Sequence, residues 1–238
     1  MSQSVRNYIA KLAVFDLDGT LLDTIGDLGR ACNHALSAFG YPSHAEDEYP
    51  RLVGNGVNRL IERALPEGEK SEANVLRLRE VFVPYYNLHN KILTHPYDGI
   101  RETLQQLKHN GWLLAVASNK YQAATEDLIG HFFPDTFNVV LGERDGCPRK
   151  PDPRIVHDIV ESVKRQKQED EKVSIDEDSL AILYIGDSDV DMQTAKKAGI
   201  RSVACTWGFC TRETLMQYMP DYVIDCPQQL LQIANLIN

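Results

Sequence analysis

Nothing in the 238 residues approaches the run of ~20 apolar side chains that a membrane-spanning helix needs, and the opening "MSQSVRNYIAK" has no apolar stretch of the secretory kind. These absences predict a cytoplasmic protein with no membrane partner. CxxC pairs are missing too. The five cysteines, Cys32, Cys147, Cys205, Cys210 and Cys226, are odd in number and scattered, which argues against a disulfide framework and offers no ligand spacing for zinc. Reduced, mostly buried thiols are the simpler reading. Excess positive charge is also lacking: 25 Lys+Arg stand against 34 Asp+Glu, a formal net charge of -9, so a nucleic acid is not an expected partner. A local basic pocket for a small anion is compatible with that balance. No internal repeat interrupts the chain, and its 43% hydrophobic and 25% charged residues suit one large folded unit or two modest ones.

Short apolar runs of strand length recur as "LAVF" (12–15), "WLLAVA" (112–117), "FNVVL" (137–141), "LAILYI" (180–185), "SVAC" (202–205) and "YVI" (222–224). Between them lie helical patterns. "IRETLQQLKHNG" ends on Gly111, and "DPRIVHDIVESVKRQ" opens with Asp152 as cap and Pro153 in the first turn. Strand-helix alternation predicts an α/β fold: a Rossmann-like three-layer core with a mostly parallel sheet and right-handed crossovers.

Almost a hundred residues separate the first run from the second, and most of them carry helical periodicity. "DLGRACNHALSAFG" aligns Leu28, Cys32, Ala35, Leu36 and Phe39 and stops at Gly40; "VNRLIERAL" follows, then "SEANVLRLREVFVPYYNLH" with Pro84 placed to kink or split it. The expected division is a core of residues 1–21 and 96–238 with an inserted all-helical cap of residues 22–95 above the carboxyl edge of the sheet. The mixed-charge run 163–179 reads as a solvated helix end and loop.

In open parallel sheets ligands bind beyond the carboxyl ends of the strands. There the sequence places Asp16-Leu17-Asp18-Gly19-Thr20, Ser118-Asn119-Lys120, Arg149-Lys150-Pro151 and Gly186-Asp187-Ser188-Asp189-Val190-Asp191. Each alone reads as turn or cap chemistry. Together, several carboxylates at one edge repel one another unless a cation or proton intervenes, and the mixture of acid, hydroxyl and amine suits Mg²⁺ and a phosphoryl group.

In this order and after these strands, "DLDGT", "ASNK", "RKPDP" and "GDSDVD" resemble the four motifs of the haloacid dehalogenase-like superfamily, in its capped phosphatase branch. "FDLDGTLLDT", "GNGVNRLIERAL" and "PYDGI" look most similar to bacterial phosphoglycolate phosphatases. The resemblance implies a Mg²⁺-dependent phosphomonoester hydrolase acting on a small phosphorylated metabolite as monomer or homodimer. It implies that Asp16 is the nucleophile that forms an aspartyl phosphate, and that Asp18 is the acid and then the base. Mg²⁺ would be held by Asp16, the main-chain carbonyl of Asp18 and Asp187, with Asp191 nearby through water. Ser118 and the main-chain N–H groups of Asn119 and the Gly19 turn would bind phosphoryl oxygens, and Lys150 would offset charge. Thr20 either orients Asp18 or caps the next turn.

For the cap, Gly54-Asn55-Gly56 could present N–H groups to an anion, and Arg59 or Arg63 could pair with a substrate carboxylate; the plain alternative is a solvated helix arginine. Ser118 stands where the family often has Thr and keeps the hydroxyl. Rival readings are a phosphatase for a sugar phosphate, nucleotide or pyrophosphate, a phosphomutase of the same branch, and a phospho-accepting receiver module. A receiver needs neither Asp18 nor a helical cap.

Overall fold

The computed structural model describes residues 10–171 and 179–237. Six parallel strands form one sheet in the order β5-β4-β1-β6-β7-β8, comprising β1 (Ala10–Phe15), β4 (Trp112–Tyr121), β5 (Val139–Glu143), β6 (Leu180–Gly186), β7 (Arg201–Cys205) and β8 (Tyr222–Ile224). The central strands carry apolar residues on both faces because both faces of the sheet are covered. Alternate residues of β1 go to opposite sides. Ala13 and Phe15 pack with α4 (Ile100–His109), α5 (Gln122–Phe132) and α9 (Gln229–Leu236), whereas Leu12 and Val14 pack with α6 (Arg154–Glu171) and α7 (Asp189–Lys197). The result is the expected three-layer α/β core.

Register decides where the chemistry emerges. Phe15 is opposite Val116 of β4 and Ile185 of β6, so the residues that follow each strand leave the sheet at one common edge. β4 runs further than its apolar core: Ser118 to Tyr121 stay extended, with an irregular register against β5 between Ala117 and Tyr121.

Above that edge lie α1 (Ile25–Ala38), a 3₁₀ turn at Glu46–Arg51, α2 (Val57–Ala64) and α3 (Glu72–His89), which share an apolar core built on Leu28, Cys32, Leu36, Tyr49, Ile61, Leu78 and Phe82. α1 ends as its glycine predicts: Gly40 has φ +74°, and Tyr41 N–H donates back to Leu36 O at 3.0 Å. One local reading is narrowed and another changes. α3 is not split at Pro84, since burial of Leu78, Phe82 and Tyr86 on either side offsets the ~3 kcal/mol penalty of an interior proline. The ends of the segment are not helical either: β2 (Leu22–Asp23) pairs antiparallel with β3 (His95–Pro96), a ribbon too short to leave a periodic signal. Asp27, buried in the first turn of α1, accepts N–H bonds from Ile92, Leu93 and Thr94 and so ties the outgoing chain to the returning one.

α6 carries the mixed-charge run as far as Glu171, and residues 172–178 lie outside the described residues. Among the described residues no helix is long and apolar enough to cross a membrane. α8 (Arg212–Met216) completes the elements near the site, capped by the Thr211 side chain.

Candidate active site

A cavity of about 350 Å³ lies between the sheet edge and the helices above it. Asp16, Asp18, Ser118, Asn119, Lys120 and Asp187 line its floor; Gly54, Asn55, Gly56, Arg63, Phe82 and Tyr86 line its roof.

Asp16 and Asp187 of the floor and Asp191 beneath it bring carboxylate oxygens within 4.8 Å of one another, and all three residues are buried. Lys150 answers part of that charge: its Nζ is 2.9 Å from Asp16 Oδ1 and 2.8 Å from Asp191 Oδ1, with the lysine side chain only 2% exposed. Burial pushes the Asp16 carboxyl well above the usual carboxylate range, Asp191 adds to the rise, and Lys150 opposes it. Burial and Asp191 likewise push Asp187 up to about 7. Three carboxylates with one ammonium leave an excess of negative charge in a dry site, and an all-oxygen donor set fits a hard divalent cation.

Each carboxylate is held differently. Asp187 accepts from Thr20 Oγ1 at 2.8 Å and from Phe209 N–H at 2.7 Å. Asp191 has both oxygens occupied, Oδ2 by Ser188 N–H and Oγ at 3.1 and 2.5 Å, and Oδ1 by Lys150 and the Tyr184 hydroxyl at 3.3 Å. Its place is therefore to hold Lys150 and α7 beneath the cluster, in keeping with an indirect role toward a cation. Asp18 keeps its carboxylate outside the triad and beside the cavity.

Several sequence expectations are redistributed. Thr20 neither orients Asp18 nor caps the turn by its side chain; it is fully buried under Asp187 and away from the cavity wall. The N–H of Gly19 is spent on Leu22 O at 2.9 Å, so it is not free for a phosphoryl oxygen. Gly19 is needed for another reason: at φ +86° a Cβ would stand 2.2 Å from Asp187 Oδ2. The Asn119 side chain holds Lys150 at its backbone, accepting from its N–H at 2.9 Å and donating to its C=O at 3.2 Å. Ser118 Oγ accepts from Lys120 N–H at 3.2 Å, which leaves its own O–H to donate.

In the roof the two arginines part company. Arg59 is 60% exposed, pairs with Glu62 at 2.5 Å and lies away from the cavity wall. Arg63 lines the cavity but donates to Leu52 O and Val53 O at 3.1 Å and to Asn55 Oδ1, which fixes the Gly54–Gly56 loop. That loop meets the core: a Cβ on Gly56 would approach Asn119 O at 3.3 Å, and Asn119 Nδ2 is 3.5 Å from Gly54 O.

One floor residue was not singled out from sequence. Lys120 is buried, with Nζ 3.0 Å from Asp18 Oδ1 and 4.8 Å from the Tyr86 ring centroid on α3. A lysine at the end of an apolar strand gives no local signal that a distant helix will cover it.

Comparison with known proteins places this arrangement. The chain is 35% identical over 230 residues to the phosphoglycolate phosphatase of Vibrio vulnificus (strain CMCP6), covering 94% of this chain and 96% of that one. It is 34% identical over 234 residues to that of Vibrio cholerae, with the same coverage of 94% and 96%. A solved structure from Lactobacillus delbrueckii subsp. bulgaricus, provisionally named a phosphoglycolate phosphatase, superposes with a TM-score of 0.82 at 31% identity, over 94% of this chain and 97% of that one. The CbbY protein of Rhodobacter sphaeroides, solved with phosphate, shares the fold at a TM-score of 0.72 and 21% identity, over 93% and 96%. Residues 13–205 match the sequence profile of the haloacid dehalogenase-like hydrolases. The chain belongs to the haloacid dehalogenase-like hydrolase family, as one of its phosphatases.

Proposed function

We propose that this phosphatase is a Mg²⁺-dependent phosphoglycolate phosphatase that works through an aspartyl phosphate on Asp16. The observation that carries the reading is the floor of the cavity, where Asp16 sits between a buried ammonium and two further carboxylates, with Asp18 beside it facing the same space. Relatives of that name at 34–35% identity over nearly the whole chain supply the substrate. Residues 1–21 and 96–238 act as the catalytic core, and residues 22–95 as a cap that excludes water from the cavity.

In the first step a carboxylate oxygen of Asp16 attacks phosphorus as the ester P–O bond breaks, and Asp18 gives its proton to the departing oxygen. In the second, Asp18 takes a proton from water, whose oxygen attacks phosphorus and frees Asp16 and inorganic phosphate. Ser118 O–H donates to a phosphoryl oxygen, and Lys150 steadies both the nucleophile and the charge transferred to it. Asp16 and Asp187 with the main-chain carbonyl of Asp18 would hold Mg²⁺, which supplies positive charge that keeps the buried carboxylates ionised and offsets the phosphoryl oxygens. The experiment is phosphate release from a panel of phosphometabolites with and without Mg²⁺. Highest kcat/KM on 2-phosphoglycolate, lost with a chelator, is expected; metal-independent turnover, or a sugar phosphate or nucleotide preferred instead, contradicts the reading.

Mg²⁺ binding should depend on pH. Below about 7 the Asp187 carboxyl holds a proton in the metal-free protein, and a cation must displace it. Affinity is therefore expected to fall as pH drops through that point, and the raised Asp16 carboxyl adds to the dependence in the same direction. Titration calorimetry of the metal-free protein at about pH 6 and about pH 8 reads this directly, along with the proton released. Equal affinity at both would show that Asp187 is not a ligand that must lose its proton.

A further inference from the structure

Tyr86, a lining residue of the cavity, is 1% exposed on α3, and its hydroxyl is buried with no hydrogen-bond partner of good geometry. A native structure seldom leaves a buried hydroxyl unpaired unless a ligand or water completes it. Next to it is Lys120, close enough for its charge to act on the phenol. An ammonium has three N–H bonds, and this one has a single carboxylate oxygen, Asp18 Oδ1, within ion-pair distance. The other cations of the wall are less suited: Arg63 is engaged by Leu52, Val53 and Asn55, and Arg51 sits at the exposed rim. A cation and an unpaired donor, side by side and dry, are complementary to a carboxylate.

Their position says which carboxylate. Asp18 meets the ester oxygen of the substrate, and Lys120 lies against Asp18. In the phosphate ester of a 2-hydroxy acid the carboxylate carbon is two bonds from that same oxygen. We propose that Lys120 and the Tyr86 hydroxyl form the seat for the substrate carboxylate, so that short phosphate esters of 2-hydroxy acids are the selected class. This deepens the phosphoglycolate reading and rests on it. The seat joins the two parts of the site: Lys120 belongs to a sheet strand and Tyr86 to a helix of the inserted segment, so a carboxylate bridging them holds the roof against the floor. A neutral alkyl phosphate would leave the Tyr86 hydroxyl buried without a partner and Lys120 with Asp18 alone, a larger source of discrimination than any difference in apolar contact.

The test compares 2-phosphoglycolate with ethyl phosphate, which has a methyl group in place of the carboxylate, in wild-type protein, Lys120→Met, Lys120→Arg and Tyr86→Phe, all with Mg²⁺. The quantity read is the ratio of the two kcat/KM values, because damage to Asp18 or to the fold lowers both substrates and leaves the ratio alone. Lys120→Met is expected to reduce the ratio about 100-fold, mainly through KM for phosphoglycolate, and Lys120→Arg to recover about 10-fold of it. Tyr86→Phe is expected to raise that KM about 5-fold with kcat little changed. A wild-type enzyme with no preference for phosphoglycolate would overturn the substrate reading and the seat with it. A wild-type preference that survives Lys120→Met would overturn the seat alone and leave Lys120 as a support for Asp18.

Discussion

Asp16→Asn is expected to lose phosphate release by at least about 10⁴-fold while folding at least as firmly as the parent protein. The amide cannot attack phosphorus, and no neighbour replaces it: Asp187 and Asp191 are engaged by Thr20, Phe209, Ser188 and Lys150. The stability half of the expectation follows from sign. Burial raises the Asp16 carboxyl well above its ordinary range, so its ionised form at neutral pH is a cost to the metal-free folded state, and a neutral amide removes that cost. A thermal melt of the metal-free variant with an unchanged or higher midpoint, together with the lost activity, separates chemistry from unfolding. Asp18→Asn should behave otherwise. It should still accept a phosphoryl group from p-nitrophenyl phosphate, whose leaving group needs no proton, and then release phosphate slowly.

The second large effect belongs to Lys150. Its ammonium touches Asp16 and Asp191 at 2.9 and 2.8 Å with 2% of the side chain exposed, so solvent does little to screen the pair. Removing one partner of a buried ion pair costs more than the pair itself contributes, because the remaining charge stays desolvated. Lys150→Met is therefore expected to destabilise the metal-free protein by about 3–5 kcal/mol at neutral pH and to lower kcat by about 10³-fold with metal present. The deficit should be full where the carboxylates are ionised and shrink as pH falls, since carboxyls whose folded pKa is raised take up protons and lose the uncompensated charge. Denaturant melts at about pH 8 and about pH 5 check this. A deficit that grew toward acid would contradict it.

The core of this site was legible because its signals are local. An apolar run that ends in Asp, Ser or Asn marks both a strand and its functional edge, and parallel register then brings the ends of β1, β4 and β6 together. Roles that depend on distant partners were not legible. Thr20 reads as a neighbour of Asp18, yet its partner is 167 positions away at Asp187. Gly19 reads as a source of a free N–H, yet the turn that its positive φ permits uses that N–H on Leu22. Arg59 and Arg63 are a helical turn apart and indistinguishable by spacing; Glu62 captures the first, and the loop carbonyls capture the second. Lys120 acquires meaning only once α3 brings Tyr86 over it.

The most direct measurement of the central claim is a rapid quench of the Mg²⁺-loaded enzyme with 2-phosphoglycolate, followed by borohydride reduction of any acyl phosphate and peptide mass spectrometry. Conversion of Asp16 to homoserine, at that position alone and only with substrate present, is the predicted result. Phosphate release without modification at Asp16, or modification at another carboxylate, would contradict it.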